Sequence, residues 1–141
     1  MKFLVVVLLL LVIISNQNEA AASEITLDLG LWTHHKDRTK PVDKCVNEDH
    51  NLVMVTKDNV LVGGYKNSHC KQSFMVGYQH ELPYNFSVEV AAVTGYPDSM
   101  HVAEGIVIIP TLNYRVFVKD VGMKFIMVPN VLVGVGFSFK L

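Results

Sequence analysis

Most of the chain after residue 23 alternates between apolar and polar side chains with a period of two, which is typical of β-strands with two unlike faces. The alternation is clearest at the C-terminus, where every second residue from Val131 to Leu141 is apolar. The pattern predicts eight strands, at residues 24–35, 50–57, 60–67, 72–81, 85–95, 104–118, 121–129 and 131–141. We therefore expect an all-β protein.

The lengths of the predicted strands and connections favour a transmembrane barrel. A strand that crosses a membrane in a tilted barrel needs about 9–11 residues, and such barrels have short turns on one side and longer loops on the other. Three predicted turns are short, whereas the connections at 36–49 and 94–103 are longer. The apolar faces are long and uncharged, and the chain closes on an apolar alternating strand. The predicted fold is an eight-stranded antiparallel transmembrane β-barrel.

A water-soluble barrel with an apolar interior is the alternative. The segment Gly30-Leu31-Trp32 is similar to the G-x-W of secreted lipocalin-like binding proteins. Lipocalins normally carry a helix after the barrel, whereas a strand is predicted here up to residue 141. A soluble barrel would also require Glu89, Arg115 and Lys124 to lie on the wetter face. We favour the membrane barrel.

The pairing of the sixth and seventh strands can be predicted from their apolar residues. A turn centred on Lys119 and Asp120 opposes only apolar residues on one face, as the pairs Val118 with Val121, Val116 with Met123, Tyr114 with Phe125, Leu112 with Met127 and Pro110 with Pro129. Proline lacks an N–H and is rare inside sheets. Pro110 and Pro129 either mark a bulge and a turn, or interrupt the ladder and leave a lateral gap that admits a lipid tail.

The same register places two cations on the inner face. Arg115 then lies opposite Lys124, where like charges repel. Asp28 and Glu89 are the acids expected on that face. We predict that these four side chains form an interior charge network with no part in catalysis.

The N-terminal residues predict export. Lys2 precedes an unbroken apolar run over residues 3–14, and a polar stretch then leads to an A-x-A site that ends at Ala22. This pattern is typical of a cleaved signal peptide over residues 1–22, because the apolar run is too short to span a bilayer. A single barrel domain over residues 23–141 would remain, in the outer membrane of a Gram-negative bacterium. The net charge of -1 gives no indication of nucleic-acid binding.

The two cysteines, Cys45 and Cys70, allow two interpretations. An exported protein meets oxidising conditions, so they form either one disulfide or two unpaired thiols. Neither C-x-x-C nor H-x-x-x-H spacing occurs, so no zinc site is expected, and no other cofactor is expected either.

A series of short motifs runs along nearly all of the mature chain. They are Trp32 to Arg38 (W-T-H-H-K-D-R), Asn47-Glu48, Tyr65-Lys66-Asn67-Ser68, Gly77-Tyr78, Thr94-Gly95, Ile109-Pro110, Val128-Pro129 and Phe137-Ser138-Phe139. Their order resembles that of the outer-membrane lipid A palmitoyltransferase (PagP-like) family. The resemblance implies an eight-stranded barrel in which prolines flank lateral openings to an interior acyl-binding pocket. It also implies phospholipid and lipid A as partners, and we expect a monomer.

The resemblance places the acyl-transfer site near the outer loops. The family's His matches His35, with His34 as the other candidate, and its Ser matches Ser68. Asn67 stands where the family has an Asp. A neutral His can act as a general base, and a Ser as nucleophile or hydrogen-bond donor. A carboxylate beside such a His fixes its tautomer and stabilises the imidazolium.

Three alternatives therefore remain open at this site. Asp37 or Asp49 supplies the charge from a neighbouring loop, or Asn67 acts as an oxyanion donor in a slower enzyme. Otherwise the protein is a non-enzymatic envelope barrel that binds lipid or modifies the surface. The other histidines have no motif support and are expected to be surface or interfacial residues, namely His50, His69, His80 and His101.

Overall fold

The computed structural model describes residues 24–36 and 45–141, and the predicted signal peptide lies outside them. Within them, eight antiparallel strands form a closed barrel in which strands adjacent in sequence pair and β8 pairs with β1. The strands are β1 (Ile25–His35), β2 (Val53–Lys57), β3 (Val60–Lys66), β4 (Gln72–Glu81), β5 (Phe86–Val93), β6 (Val107–Val118), β7 (Val121–Val128) and β8 (Leu132–Lys140). The predicted all-β, eight-stranded antiparallel barrel is confirmed.

The connections differ at the two ends of the barrel. At one end, called the turn end, the strands are joined through residues 58–59, 82–85 and 119–120. At the opposite end, called the loop end, the connections are 36–52, 67–71, 94–106 and 129–131, the third of which contains a 3₁₀ turn at Asp98–Met100. Among the described residues, no helix is both long and apolar enough to cross a membrane.

The outward face of the barrel is apolar. Large hydrophobic side chains point away from the interior on every strand, and several are more than half exposed, including Phe74 at 66%, Val62 at 57% and Val133 at 55%. On the described strands, charged Asp, Glu, Lys or Arg side chains occupy outward positions only at Lys57 and Lys66, which end β2 and β3. Many of the buried side chains inside the barrel are polar or charged, whereas the outward positions are mostly apolar.

Four buried charges cross the interior between the strands. Nη2 of Arg115 lies 3.0 Å from Asp28 Oδ2 and 3.0 Å from Glu89 Oε1. Nζ of Lys124 lies 3.0 Å from the same Asp28 oxygen and 2.7 Å from the same Glu89 oxygen. Ser138 donates a further hydrogen bond to Asp28. The predicted interior charge network is confirmed, and the two acids lie between the cations to offset their repulsion.

A bulge in β1 changes which residues face the interior. Leu29 pairs with Phe137 of β8 and Trp32 pairs with Val135, so β1 has one more residue than β8 over this stretch. Gly30 sits at the bulge with φ +63°, a conformation that glycine adopts without strain. Strict alternation from the inward Asp28 predicts an outward Leu31 and an inward Trp32. This prediction is wrong beyond the bulge, because Leu31 lines the interior and Trp32 faces outward.

The β6–β7 ladder stops short of the loop end. It contains four of the predicted pairs, Val118 with Val121, Val116 with Met123, Tyr114 with Phe125 and Leu112 with Met127. Residues 107–111 of β6 pair only with β5, where Pro110 lies opposite Val90. Pro129 follows the last residue of β7, so the predicted Pro110–Pro129 pair is not part of the ladder.

Candidate active site

An apolar cavity occupies the barrel between the charge network and the loop end. Glu89 and Lys124 form its floor at the charge network. Its walls are mostly apolar side chains from several strands and from the loop before β2, including Leu31, Leu52, Met54, Met75, Ala91 and Val93. The polar groups that reach it near the loops are few, namely Thr33, His50, Ser68 and the tyrosines Tyr65 and Tyr96. A cavity with mostly apolar walls and a few polar groups at one end is the usual form of a ligand-binding site.

His50 is buried at the upper wall of this cavity, at 3% exposure. Its Nδ1 lies 2.7 Å from the Lys66 carbonyl oxygen, and its Nε2 lies 2.7 Å from Thr33 Oγ1. A carbonyl oxygen can only accept, so Nδ1 of the neutral ring carries the proton and Nε2 accepts from the Thr33 hydroxyl. Burial lowers the pKa of His50 and keeps the ring neutral. The expectation that His50 is a surface or interfacial residue is therefore wrong.

The bulge at Gly30 determines which of the two candidate histidines of β1 faces inward. His35 lies on the inward side, two residues beyond Thr33, and its ring centroid is 6.5 Å from that of His50. His34 points outward, where Nδ1 lies 3.8 Å from Glu48 Oε1 and the side chain is 70% exposed. Of the two, only His35 is next to the cavity.

Ser68 and Asn67 follow β3 at the loop end, and only Ser68 lines the cavity. Asn67 is fully buried beneath the loop. Its Nδ2 donates to Ser73 Oγ at 2.9 Å and to the Gly95 carbonyl at 2.8 Å. Its Oδ1 accepts from the backbone N–H groups of His69 at 2.9 Å and Lys71 at 3.0 Å.

These contacts define the chemistry available to Asn67. Backbone N–H groups can only donate and the Gly95 carbonyl can only accept, so they fix which end of the amide is oxygen. Both amide hydrogens are used within the protein. Asn67 therefore has no donor left for a substrate oxyanion, and its side chain orders the loop that carries Ser68.

A disulfide and a candidate acid lie in the loops at this end of the barrel. A disulfide joins Cys45, in the loop after β1, to Cys70, in the loop after β3, and their Cα atoms are 6.0 Å apart. It ties the loop that carries His50 to the loop that carries Ser68. Asp49 is exposed and directly precedes His50. Asp37 lies outside the described residues.

Two tyrosines line the cavity together with Ser68. Tyr65 and Tyr96 share a hydrogen bond of 2.8 Å between their hydroxyl groups, and the Tyr65 ring packs against His50 with centroids 5.9 Å apart. Burial raises the pKa of Tyr96, so its hydroxyl stays protonated.

The sequence alternation could have shown that His50 faces inward, because His50 lies two and four residues before the inward Leu52 and Met54. The inward position of Thr33 could not be read from the alternation, because it depends on the bulge.

In residues 24–36 and 45–141, no group of three or more His, Cys, Asp or Glu side chains could hold a metal ion. The chain matches no family model, no curated protein and no solved structure.

Proposed function

We propose that this protein is an outer-membrane β-barrel similar to the PagP-like lipid A palmitoyltransferases, and that it transfers an acyl chain from a phospholipid to lipid A. The observation that carries the proposal is the barrel's polarity: an apolar outer face surrounds an interior with an apolar cavity at one end and a paired charge network below it. No family or structural match contributes to the proposal, which rests on this geometry and on the motif resemblance.

The outer face favours a lipid environment over water. Monomeric proteins in water rarely expose apolar patches above a few hundred Å². Here apolar side chains occupy most of the outward positions on all eight strands, and Trp32 lies among them at 46% exposure, packed edge-on against Phe137 with ring centroids 5.9 Å apart. A secreted lipocalin-like barrel requires a polar outer face around its apolar interior. All backbone groups of a closed barrel can pair, which is what a bilayer demands.

The β6–β7 junction offers a route from the bilayer into the cavity. The ladder ends at Leu112 and Met127, and the cavity is lined on either side of the unpaired stretch by Ile109 of β6 and by Ile126 and Val128 of β7. Strands that are not hydrogen-bonded can separate at low cost, and Pro110 has no N–H with which to close the ladder. We propose that Pro110 and Pro129 flank a lateral gate for the acyl chain.

With a chain in the cavity, its ester would lie at the loop end among the polar groups. In this proposal Ser68 donates a hydrogen bond to the ester carbonyl, where negative charge develops in the transition state. His35, which is inward and close to His50, contacts the incoming hydroxyl of lipid A. The disulfide between Cys45 and Cys70 holds the two contributing loops together.

The test is to express the full chain in a Gram-negative host that lacks its own lipid A acyltransferase and to measure the mass of the lipid A. We expect a species heavier by one acyl chain, which is lost in His35→Ala and Ser68→Ala and retained in His34→Ala. Unchanged lipid A, with a folded barrel present in the outer membrane, would contradict the transferase proposal.

A second candidate is a barrel that binds lipid without transferring acyl groups. It is favoured by Asn67, which brings no charge to the site and has no free donor. In that case a phospholipid should purify with the barrel and be detected by native mass spectrometry, while lipid A keeps its mass.

A further inference from the structure

A hydroxyl and an imidazole meet on the wall of the cavity. Thr33 Oγ1 lies 2.7 Å from His50 Nε2, and both side chains are buried and line the cavity. Thr33 belongs to β1 and His50 to the loop before β2, so the contact depends on the tertiary fold. The sequence motifs near Thr33 and Ser68 do not include His50.

The His50 ring is held in the state that a general base requires. The Lys66 carbonyl accepts the Nδ1 hydrogen at 2.7 Å, which leaves the Nε2 lone pair directed at the Thr33 hydroxyl. A hydroxyl, an imidazole that faces it through a basic nitrogen, and a third group that orients the imidazole form the arrangement that activates hydroxyl nucleophiles. Here a backbone carbonyl takes the place of the carboxylate. Burial lowers the pKa of His50, so the ring is unprotonated and able to accept a proton at neutral pH.

We propose that Thr33 is the nucleophile of the acyl transfer and that His50 is its base, an inference that rests on the proposed function. The reaction then has two steps with a threonyl ester between them. This assignment explains how the site can operate with Asn67 in place of an Asp. The nucleophile lies on β1 and its base in the loop before β2, so neither depends on a carboxylate at position 67.

In the first step, Thr33 Oγ1 attacks the ester carbonyl of a phospholipid whose chain lies in the cavity. His50 Nε2 takes the hydroxyl proton, the bond from the carbonyl carbon to the glycerol oxygen breaks, and His50 returns the proton to that oxygen. In the second step, a lipid A hydroxyl gives its proton to His50 and attacks the threonyl ester. The bond to Thr33 breaks, and Thr33 recovers the proton from His50. No other reactant is consumed.

Neighbouring residues can support this chemistry without being the nucleophile. Ser68 lines the same cavity and is available as a donor to the oxyanion. His35 is the next inward residue after Thr33 on β1. The two are separated along the strand by two residues' rise, at about 3.3 Å per residue. It lies on the loop side of Thr33, where the acceptor must enter.

The experiment uses the full chain folded in detergent and a p-nitrophenyl ester of a long-chain fatty acid, without an acceptor. We expect release of p-nitrophenol and an acyl adduct that intact mass spectrometry detects and peptide mapping assigns to Thr33. The adduct should be absent in Thr33→Val and present in Thr33→Ser, and its formation should slow by at least about a thousandfold in His50→Gln. Thr56→Val is the matched control, because Thr56 is also buried and inward-facing but lies outside the cavity lining.

Folding of each variant is checked by the shift in gel mobility that folded barrels show before boiling. If Thr33→Val misfolds, the assignment is decided on Thr33→Ser, which must carry the adduct on the new serine. An adduct on Ser68, or lipid A modified equally by Thr33→Val and Thr56→Val, would overturn this inference and leave the proposed transferase standing. If the wild-type chain gives neither an adduct nor modified lipid A, this inference and the proposed transferase are both overturned.

Discussion

The Thr33 hydroxyl and His50 Nε2 are 2.7 Å apart inside a cavity whose walls are otherwise largely apolar. The contact depends on the extra residue of β1 at Gly30, which turns Thr33 and His35 inward. It also depends on the Lys66 carbonyl, which holds the His50 ring from the other side. A strand bulge and one backbone carbonyl thus determine which polar side chains reach the cavity and, in the proposed reaction, meet the lipid ester.

Lowering the pH should destabilise the barrel through His50. Burial lowers its pKa, so below about pH 6.5, the usual value for His, the unfolded chain binds more protons at this residue than the folded barrel does. This contribution to stability is complete above that pH and is lost as the pH falls towards the depressed pKa. The groups that face His50 are Thr33 and His35 of β1, Tyr65 of β3, and Glu48 and Asp49 in its loop.

Urea unfolding of the detergent-folded protein between pH 7.5 and pH 5 measures this effect. His50→Gln should weaken the dependence on pH, whereas His34→Gln, at an exposed position, should leave it unchanged. Equal slopes for the wild type and His50→Gln would contradict the assignment.

For the proposed transferase, replacing Asn67 by Asp should destabilise the fold without raising lipid A acylation. The substitution places a carboxylate oxygen against the Gly95 carbonyl, which Nδ2 now contacts at 2.8 Å. An unpaired buried charge costs about 3 kcal/mol or more, so we expect a lower urea midpoint. Asn130→Asp is the control, because it makes the same substitution in an exposed turn, where the new carboxylate is hydrated. Higher lipid A acylation in Asn67→Asp would show that Asn67 stands in for a catalytic Asp.

Removing one residue of the charge network should strongly lower the stability of the barrel. Lys124 is 1% exposed and contacts both Asp28 and Glu89, so Lys124→Met leaves two buried acids with Arg115 alone. Breaking such a network costs about 3–5 kcal/mol. Lys119→Met, in the exposed turn before β7, should cost far less. Urea midpoints measured in the same detergent compare the two variants, and similar midpoints would argue against a paired network in the barrel.

Gly30 should tolerate alanine less well than another glycine with the same backbone conformation. A Cβ at Gly30 would lie 3.2 Å from the Trp32 ring and would require a φ of +63°, which costs about 1–2 kcal/mol in a residue with a side chain. Gly105 has φ +73° with nothing within 4 Å of the added atom. Gly30→Ala should therefore lose more stability than Gly105→Ala and should alone shift the emission of Trp32. Matching losses with unchanged emission would contradict the bulge geometry.

The strand pattern and one hairpin register could be predicted from the sequence because alternation reports directly which face is apolar. The same rule failed at Leu31 and Trp32, since a single inserted residue reverses every later position on the strand. Gly30 in the middle of an alternating segment was the available signal for that bulge.

The site was less predictable than the fold. The motif drew attention to His35, Ser68 and Asn67, but the partners of Asn67 come from β4 and from the loop after β5, which the local sequence does not reveal. The contact between Thr33 and His50 crosses from a strand to a loop, and such pairing follows from packing that no short motif encodes.

The central claim is that lipid surrounds the outer face of the barrel, and the fluorescence of Trp32 can test it. It is the single tryptophan in the chain and faces outward near the loop end, so its fluorescence reports what covers that face. The barrel is reconstituted in vesicles of phospholipids brominated on their acyl chains, and its emission is compared with that in the unbrominated lipid. We expect strong quenching by bromine placed near the headgroup, and weaker quenching by bromine at the chain end. Emission unaffected by bromination, from a protein that stays in solution without detergent, would contradict the membrane barrel.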